Sequence, residues 1–316
     1  MASKELNCCV CKNDDENKFT LYYDKVNYKV MQCTVCSFVF VPTSFRKNIT
    51  YTDYKDASVT EQVRKGNNWI KIQRHLLRYD LIEKYKPSGK LFDLGAGWGH
   101  FLLAGKQCGY DVYGIELSEQ PAYYAKNDLQ LPVDRIDFFA MSEENKFDII
   151  TLWDVLEHID AADTVLEKCY RLLNKDGIIV IQVPQIDSSI SKRFKENWKM
   201  ISLDHVNYFS KKTLPQLLES RGFIVKEIRT SVELKLFLMY TLLPFIRKIF
   251  PKRRKIKQIN TSSQNISSAD RQAFFNKFTS APKWILRVFV FFHNIIYKIL
   301  GRLKIGEEMI IVAQKN

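Results

Sequence analysis

The chain has 316 residues, 46% of them hydrophobic and 26% charged, an ordinary composition for a folded protein with room for one large domain and a small one. Its net charge of +13 is lopsided: residues 1–230 carry 32 Lys and Arg against 31 Asp and Glu, whereas residues 231–316 carry 16 against 4. This excludes a nucleic-acid binder with a basic body and turns attention to what the C-terminal quarter touches. The opening stretch, MASKELNCCVCKNDDENKF, has no apolar run of the secretory type. Five of the seven cysteines fall in the first 36 residues, as expected of a metal site in a reducing, cytoplasmic compartment rather than of a disulfide scaffold.

Residues 1–45 hold Cys8-x-x-Cys11 and Cys33-x-x-Cys36, two knuckles 21 residues apart, with strand-like runs FTLYY and FVFVP. That spacing predicts a zinc ribbon in which four thiolates close the coordination sphere, so the metal is structural. Cys9 is the spare thiol unless it exchanges with Cys8. Residues 46–89 read as a helical linker or lid, with Ile70, Ile72, Leu76, Leu77 and Leu81 on one approximate helical face. From residue 90 apolar strand-length runs alternate with amphipathic helices: LFDL, DVYGIE, FDIITLW, GIIVIQV and IVKEIRT are the strands. This rhythm predicts an α/β, Rossmann-like, doubly wound sheet over 90–234, completed by a last strand in 305–316. Val165, Leu166, Cys169, Leu172 and Leu173 mark a buried helix face, with Gly177 as its C′ residue. Cys108 and Cys169 read as core.

Residues 235–304 interrupt the rhythm with 15 Lys and Arg, a single acid, Asp270, and many large apolar side chains. The runs LFLMYTLLPFI and VFVFFHNIIY are 11 and 10 residues long, short of the roughly 20 that span a bilayer. The pattern predicts a basic helical insertion lying on an anionic membrane surface; the competing reading packs it on the domain or across a dimer. Nothing in it resembles a stacking platform for nucleic acid.

KLFDLGAGWGH, residues 90–100, sets Gly95, Gly97 and Gly99 directly behind Asp93, between a strand and a helix. Glycine lets backbone approach a ligand, and the helix start offers free N–H groups. Glu116, at the end of the next strand, is placed to accept hydrogen bonds from a ribose. The set predicts a nucleoside-containing cofactor.

The G-x-G-x-G spacing behind an Asp resembles motif I of the class I S-adenosylmethionine-dependent methyltransferases, and residues 90–230 match that family in order. FDIITLWDVLEHI resembles its fourth strand and following loop, LLNKDGIIVIQVP its fifth strand, and EEMIIVAQK its antiparallel last strand. The resemblance implies S-adenosylmethionine across Gly95, Gly97 and Gly99. Asp93 would orient the glycine loop or receive the cofactor's ammonium through water, and Glu116 would hold the ribose. Phe138 or Phe139 would lie beside the adenine, with Asp137 the candidate acid of that region; Asp154, at the end of the fourth strand, is counted with both the cofactor and the catalytic residues. An NAD-dependent oxidoreductase is disfavoured by the glycine spacing and the last strand.

Two stretches resemble catalytic segments. WDVLEH resembles the ubiquinone-pathway O-methyltransferases, where equivalent acids and His bind a divalent ion beside a catechol; here these are Asp154, Glu157 and His158. SLDHVNYFS, residues 202–210, resembles the D-E-H-x-x-Y-F-S segment of zinc-containing sugar C-methyltransferases, which implies Asp204 and His205 in proton removal. The acid is Asp rather than Glu, Ser202 stands where a tyrosine is usual, and the second domain of those enzymes is absent. The ribbon, from CCVCKN to CTVCSFVFV, resembles that of bacterial sugar and small-molecule methyltransferases. The implied substrate is a small molecule: a sugar, nucleotide-sugar or lipid-linked intermediate of envelope or polysaccharide synthesis, with a quinone-type acceptor as the alternative. A catalytically inactive scaffold is the alternative of another class.

Overall fold

The computed structural model describes residues 6–46, 61, 63, 64, 66, 68–231, 282–302 and 306–316. Of the insertion read at 235–304, LFLMYTLLPFI and PKRRKIK lie outside the described residues.

A small antiparallel sheet is formed by β1 (Phe19–Lys25), β2 (Tyr28–Cys33), β3 (Val39–Phe40) and a distant fourth strand. The large sheet contains β4 (Lys90–Leu94), β5 (Asp111–Ile115), β6 (Val133–Asp134), β7 (Phe147–Trp153) and β8 (Leu173–Pro184). The fourth strand of the small sheet, β9 (Asn207–Tyr208), comes next in the chain. β10 (Phe223–Ser231) and β11 (Glu308–Lys315) complete the large sheet, in the order β10-β11-β8-β7-β4-β5-β6. The strands from β8 to β6 run parallel, and β11 is antiparallel to both β8 and β10.

The seven described α-helices are α1 (Asn68–Glu83), α2 (His100–Gln107), α3 (Glu119–Tyr123), α4 (Ala162–Leu172), α5 (Ser189–Phe194), α6 (Thr213–Glu219) and α7 (Lys283–Arg302). The central strands are apolar throughout because both faces are covered. In β8, Ile178 and Val180 face a core shared with α1 and α2, while Ile179, Ile181 and Val183 face one shared with α4 and α6. The same alternation runs through β11. This is the mixed α/β, Rossmann-like fold expected from the sequence.

The ribbon joins the second of these cores: Cys8, Phe38 and Phe40 share one apolar cluster with the inner residues of β8. Its sheet is closed by β9, with Val39 opposite Tyr208 and Phe40 opposite Asn207. The Val41 N–H adds a bond of 2.8 Å to the Val206 carbonyl.

Two local readings are corrected. Val165, Leu166, Cys169 and Leu172 are fully buried, but α4 ends at Leu172, and Leu173 is already extended. The positive φ, +59, falls at Asp176, inside a register irregularity of β8, so Gly177 is a residue of that strand and not a helix cap. Cys169 is core, whereas Cys108, the residue capping α2, is exposed because it sits on the solvent side of the turn into β5.

Candidate functional site

The donor half of the site lies at the C-terminal end of β4. The N–H groups of Gly95 and Ala96 both donate to the Ile115 carbonyl, at 3.0 and 2.9 Å, tying the turn to β5. Gly95 has φ +78, and a Cβ there would stand 2.6 Å from Val155 Cγ2, so packing demands glycine. Gly97 differs. Its φ is +51, and a Cβ would meet nothing within 4 Å. Open space in front of bare backbone is what a close-lying ligand requires. Gly99 precedes α2 and packs on Ala125 and Leu131.

Glu116 holds this turn. Its Oε2 accepts from Gly97 N–H and its Oε1 from Ser118 N–H, both at 2.8 Å. Asp93 does not hold it, contrary to one of its two expected roles: its Oδ1 accepts from Thr151 Oγ1 at 2.6 Å instead. Burial pushes the Asp93 carboxyl up to about 8, reinforced by Glu116 and opposed by the Thr151 bond and Arg78. Asp137 is exposed and caps the turn at Phe138–Ala140, accepting from Phe139 N–H at 2.7 Å. Phe138 is buried and Phe139 half-exposed, so Phe139 is the ring free to meet a base.

The second group of candidate residues, the half read below as facing an acceptor, follows β7. Asp154 stands in the left-handed region, φ +59, where a short polar side chain is tolerated. Its carboxylate accepts from Gln182 Nε2 at 3.0 and 3.1 Å. Gln182 also donates to Glu308 and accepts from Arg78, whose guanidinium lies 4.0 Å from the Trp153 ring centre.

The next turn, Leu156–His158, meets the SLDHVNYFS loop. The Val206 N–H donates to the Glu157 carbonyl at 2.8 Å, and Asn207 Nδ2 donates to the carbonyls of Leu156 and Ile159 at 3.1 and 2.7 Å. These bonds bring together residues the sequence presented as two separate groups. His158 Nδ1–H donates to the Asp204 carbonyl at 2.9 Å, and the His158 and His205 rings stand edge to face at 4.7 Å. Burial works against the Asp204 carboxylate, but Ser202 and the two imidazoles hold it below the usual range. His205 is pushed down to about 4, chiefly by burial and then by His158. It is neutral at physiological pH, and its Nδ1 is buried with no hydrogen-bond partner.

Glu157 is the residue whose weight the sequence reading missed. It is fully buried, and neither carboxylate oxygen has a hydrogen-bond partner. Burial, then Asp154, raises its carboxyl well above the ordinary range. Glu157, His158 and His205 each offer a ligand atom, all within 4.8 Å of one another.

The ribbon holds a second such group: Cys8, Cys11, Cys33 and Cys36, with Cys9 outside it. Cys8 and Cys36 are 3.5 Å apart at sulfur, and Cys11 and Cys33 3.6 Å. Four sulfurs at about 2.3 Å from a zinc ion form a tetrahedron with edges of roughly 3.8 Å, so the set fits that metal.

Comparison with known proteins agrees with this geometry. A family described as "Methyltransferase domain" matches residues 70–228, half of the chain and the large sheet except β11 and the end of β10. The chain belongs to this methyltransferase family. Among curated relatives, the ubiquinone biosynthesis O-methyltransferase of Pseudomonas entomophila is 34% identical over 95 residues, covering 28% of this chain and 41% of that protein. The enzyme of the same name from Pelagibacter ubique is 33% identical over 130 residues, covering 36% and 53%. The chain thus spans about half the length of the curated relatives it matches. A chain of the Haloferax volcanii complex between the Trm112 methyltransferase activator and a methyltransferase superposes with a TM-score of 0.50 at 13% identity, covering 84% of this chain and 97% of that one. An S-adenosylmethionine-dependent methyltransferase from Archaeoglobus fulgidus gives 0.48 at 22% identity, covering 81% and 97%. The likeness to these structures is one of fold. The methyltransferase match ends at residue 228, so it takes in the SLDHVNYFS loop and leaves out the cysteine ribbon and α7.

Proposed function

We propose that this chain transfers a methyl group from S-adenosylmethionine to a hydroxyl oxygen of a small acceptor of the quinone-precursor type. The observation that carries the reading is that the open backbone at Gly97 with Glu116, after β4 and β5, and the buried Glu157–His158–His205 group, after β7, both follow the C-terminal ends of neighbouring parallel strands, where Gly95 packs on Val155. The first suits the methyl donor, and the second suits an acceptor that must lose a proton. The O-methyltransferase names of the relatives favour this acceptor over a sugar or envelope intermediate.

In the reaction the acceptor oxygen attacks the sulfonium methyl carbon in line. The carbon–sulfur bond breaks, S-adenosylhomocysteine leaves, and the hydroxyl proton passes to a base. Because the donor is already activated, placement and deprotonation are the protein's tasks. His205, neutral and with Nδ1 unpartnered, is the base of this reading. The bare oxygens of Glu157 favour a second reading of the same residues: Glu157, His158 and His205 fit a divalent cation. Such an ion would acidify a hydroxyl bound to it. In the ribbon, Cys8, Cys11, Cys33 and Cys36 hold a structural zinc.

Thermal unfolding with S-adenosylhomocysteine and with NAD tests the donor. The former stabilises the protein by about 2.7 kcal/mol at a hundred times its dissociation constant, and NAD does not; the reverse result refutes the reading. Labelled methyl transfer to catechols but not to sugar nucleotides tests the acceptor.

A further inference from the structure

Helix α7 is apolar on two opposite faces. At 100° per residue, Leu286, His293 and Tyr297 fall on one side. They are buried or half-buried, where the helix packs on β10 and α1. Diametrically opposite lie Trp284, Val288, Phe291, Phe292, Ile295 and Ile299, all exposed, with Trp284 at 68% and Phe291 at 61%. Three aromatic and three aliphatic side chains thus line a stripe along a helix about 30 Å long. Soluble surfaces rarely leave so much contiguous apolar area in water.

We infer that this outer face is a docking surface for an anionic lipid bilayer, with α7 lying in the interface. The charge decides the occupant. Helix α7 itself carries Lys283, Arg287, Lys298 and Arg302 and no acid. Arg287, exposed, flanks the stripe. A second copy of the chain would set two such cationic segments against each other. Residues 1–230 carry nearly equal numbers of acids and bases, and Asp80 is already engaged with Lys298 of α7 at 3.0 Å. A bilayer with anionic headgroups supplies both apolar depth for the stripe and negative charge for its surroundings. Among the described residues no helix is long and apolar enough to cross a membrane, so α7 lies along the surface. The inference stands apart from the methyl-transfer reading, since it uses none of the same residues.

Flotation of the full chain with vesicles tests it. Vesicles of phosphatidylcholine and phosphatidylglycerol should bind at least about tenfold more protein than phosphatidylcholine alone, and added salt should erase much of that difference. The combined variant Trp284→Ser, Phe291→Ser, Phe292→Ser, Ile295→Ser should lose about 100-fold or more in partitioning while its melting temperature holds. Quenching of tryptophan fluorescence by brominated acyl chains, lost in Trp284→Phe, reads insertion without a destabilising change. The inference is overturned if the intact protein stays unbound, or if the combined variant binds as the parent does. It is overturned also if the stripe proves to mediate self-association, seen in sedimentation velocity as a dimer that the variant abolishes.

Discussion

Glu116 and Glu157 follow strands that flank β4 on opposite sides, and their carboxylates are treated differently. Glu116 has both oxygens bonded to peptide N–H groups, one of them in the glycine turn. Glu157 has neither oxygen bonded and is more deeply buried. A buried polar atom without a partner costs about 1–3 kcal/mol, so the acceptor half of the crevice is held at an expense the donor half avoids. The donor half is shaped by the chain itself, ahead of its ligand. On the proposed reading, the acceptor half is completed by a cation or a substrate.

The largest expected effect comes from filling the one open position of the donor half. Gly97→Val places a branched side chain in the space before Glu116, at a φ that such residues avoid. Affinity for S-adenosylhomocysteine, read by calorimetry, should fall about 1000-fold, which is roughly 4 kcal/mol. Retained affinity would mean that the ligand lies elsewhere.

On the acceptor side, Glu157→Gln and His205→Gln should each lower turnover about 100-fold while leaving S-adenosylhomocysteine binding within a factor of about two. The Glu157 variant should also melt at a higher temperature without added metal, because it replaces a costly buried carboxyl. A lower melting temperature with unchanged turnover would show Glu157 to be structural. If a divalent ion completes the group, chelation silences the parent enzyme and leaves little for Glu157→Gln to lose.

The last effect is on stability rather than on binding or turnover, and it concerns Asp93, the donor-half group least content before its ligand arrives. Its folded-state pKa of about 8 lies above its ordinary value of 3.8, so between these values the folded protein holds a proton that the unfolded chain releases. Ligand-free stability should therefore fall as pH rises through that window and level off above about 8. Asp93→Asn should flatten the slope in melting curves taken between those limits. An unchanged slope would assign it to other groups.

Much of this was legible because central parallel strands, covered on both faces, must be apolar throughout, as FDIITLW and GIIVIQV are. The cysteine knuckles and the glycine spacing are likewise local patterns tied to one chemistry. β2 was not legible, since Tyr28–Cys33 mixes polar and apolar residues on a half-exposed hairpin. The end of α4 was misplaced because Gly177 looks like a cap, while the positive φ belongs to Asp176, a residue that tolerates it inside β8. The partnership of Glu157 and His158 with His205 left no local trace: it is made by Asn207 and Val206 reaching across some 50 residues, and spacing does not encode that.

The pairing of β3 with β9 has a consequence for the order of assembly. Val39 and Phe40 wait for Tyr208 and Asn207, more than 160 residues further along the chain. Strands β4 and β5, which frame the donor half, are separated by one short helix and can meet early. Closing a long loop costs more entropy and comes later than closing a short one. During synthesis the glycine turn and its Glu116 clasp can therefore form while the histidine loop is still being made. The ribbon, although first in sequence, finds its last strand only after the rest of the sheet is nearly complete.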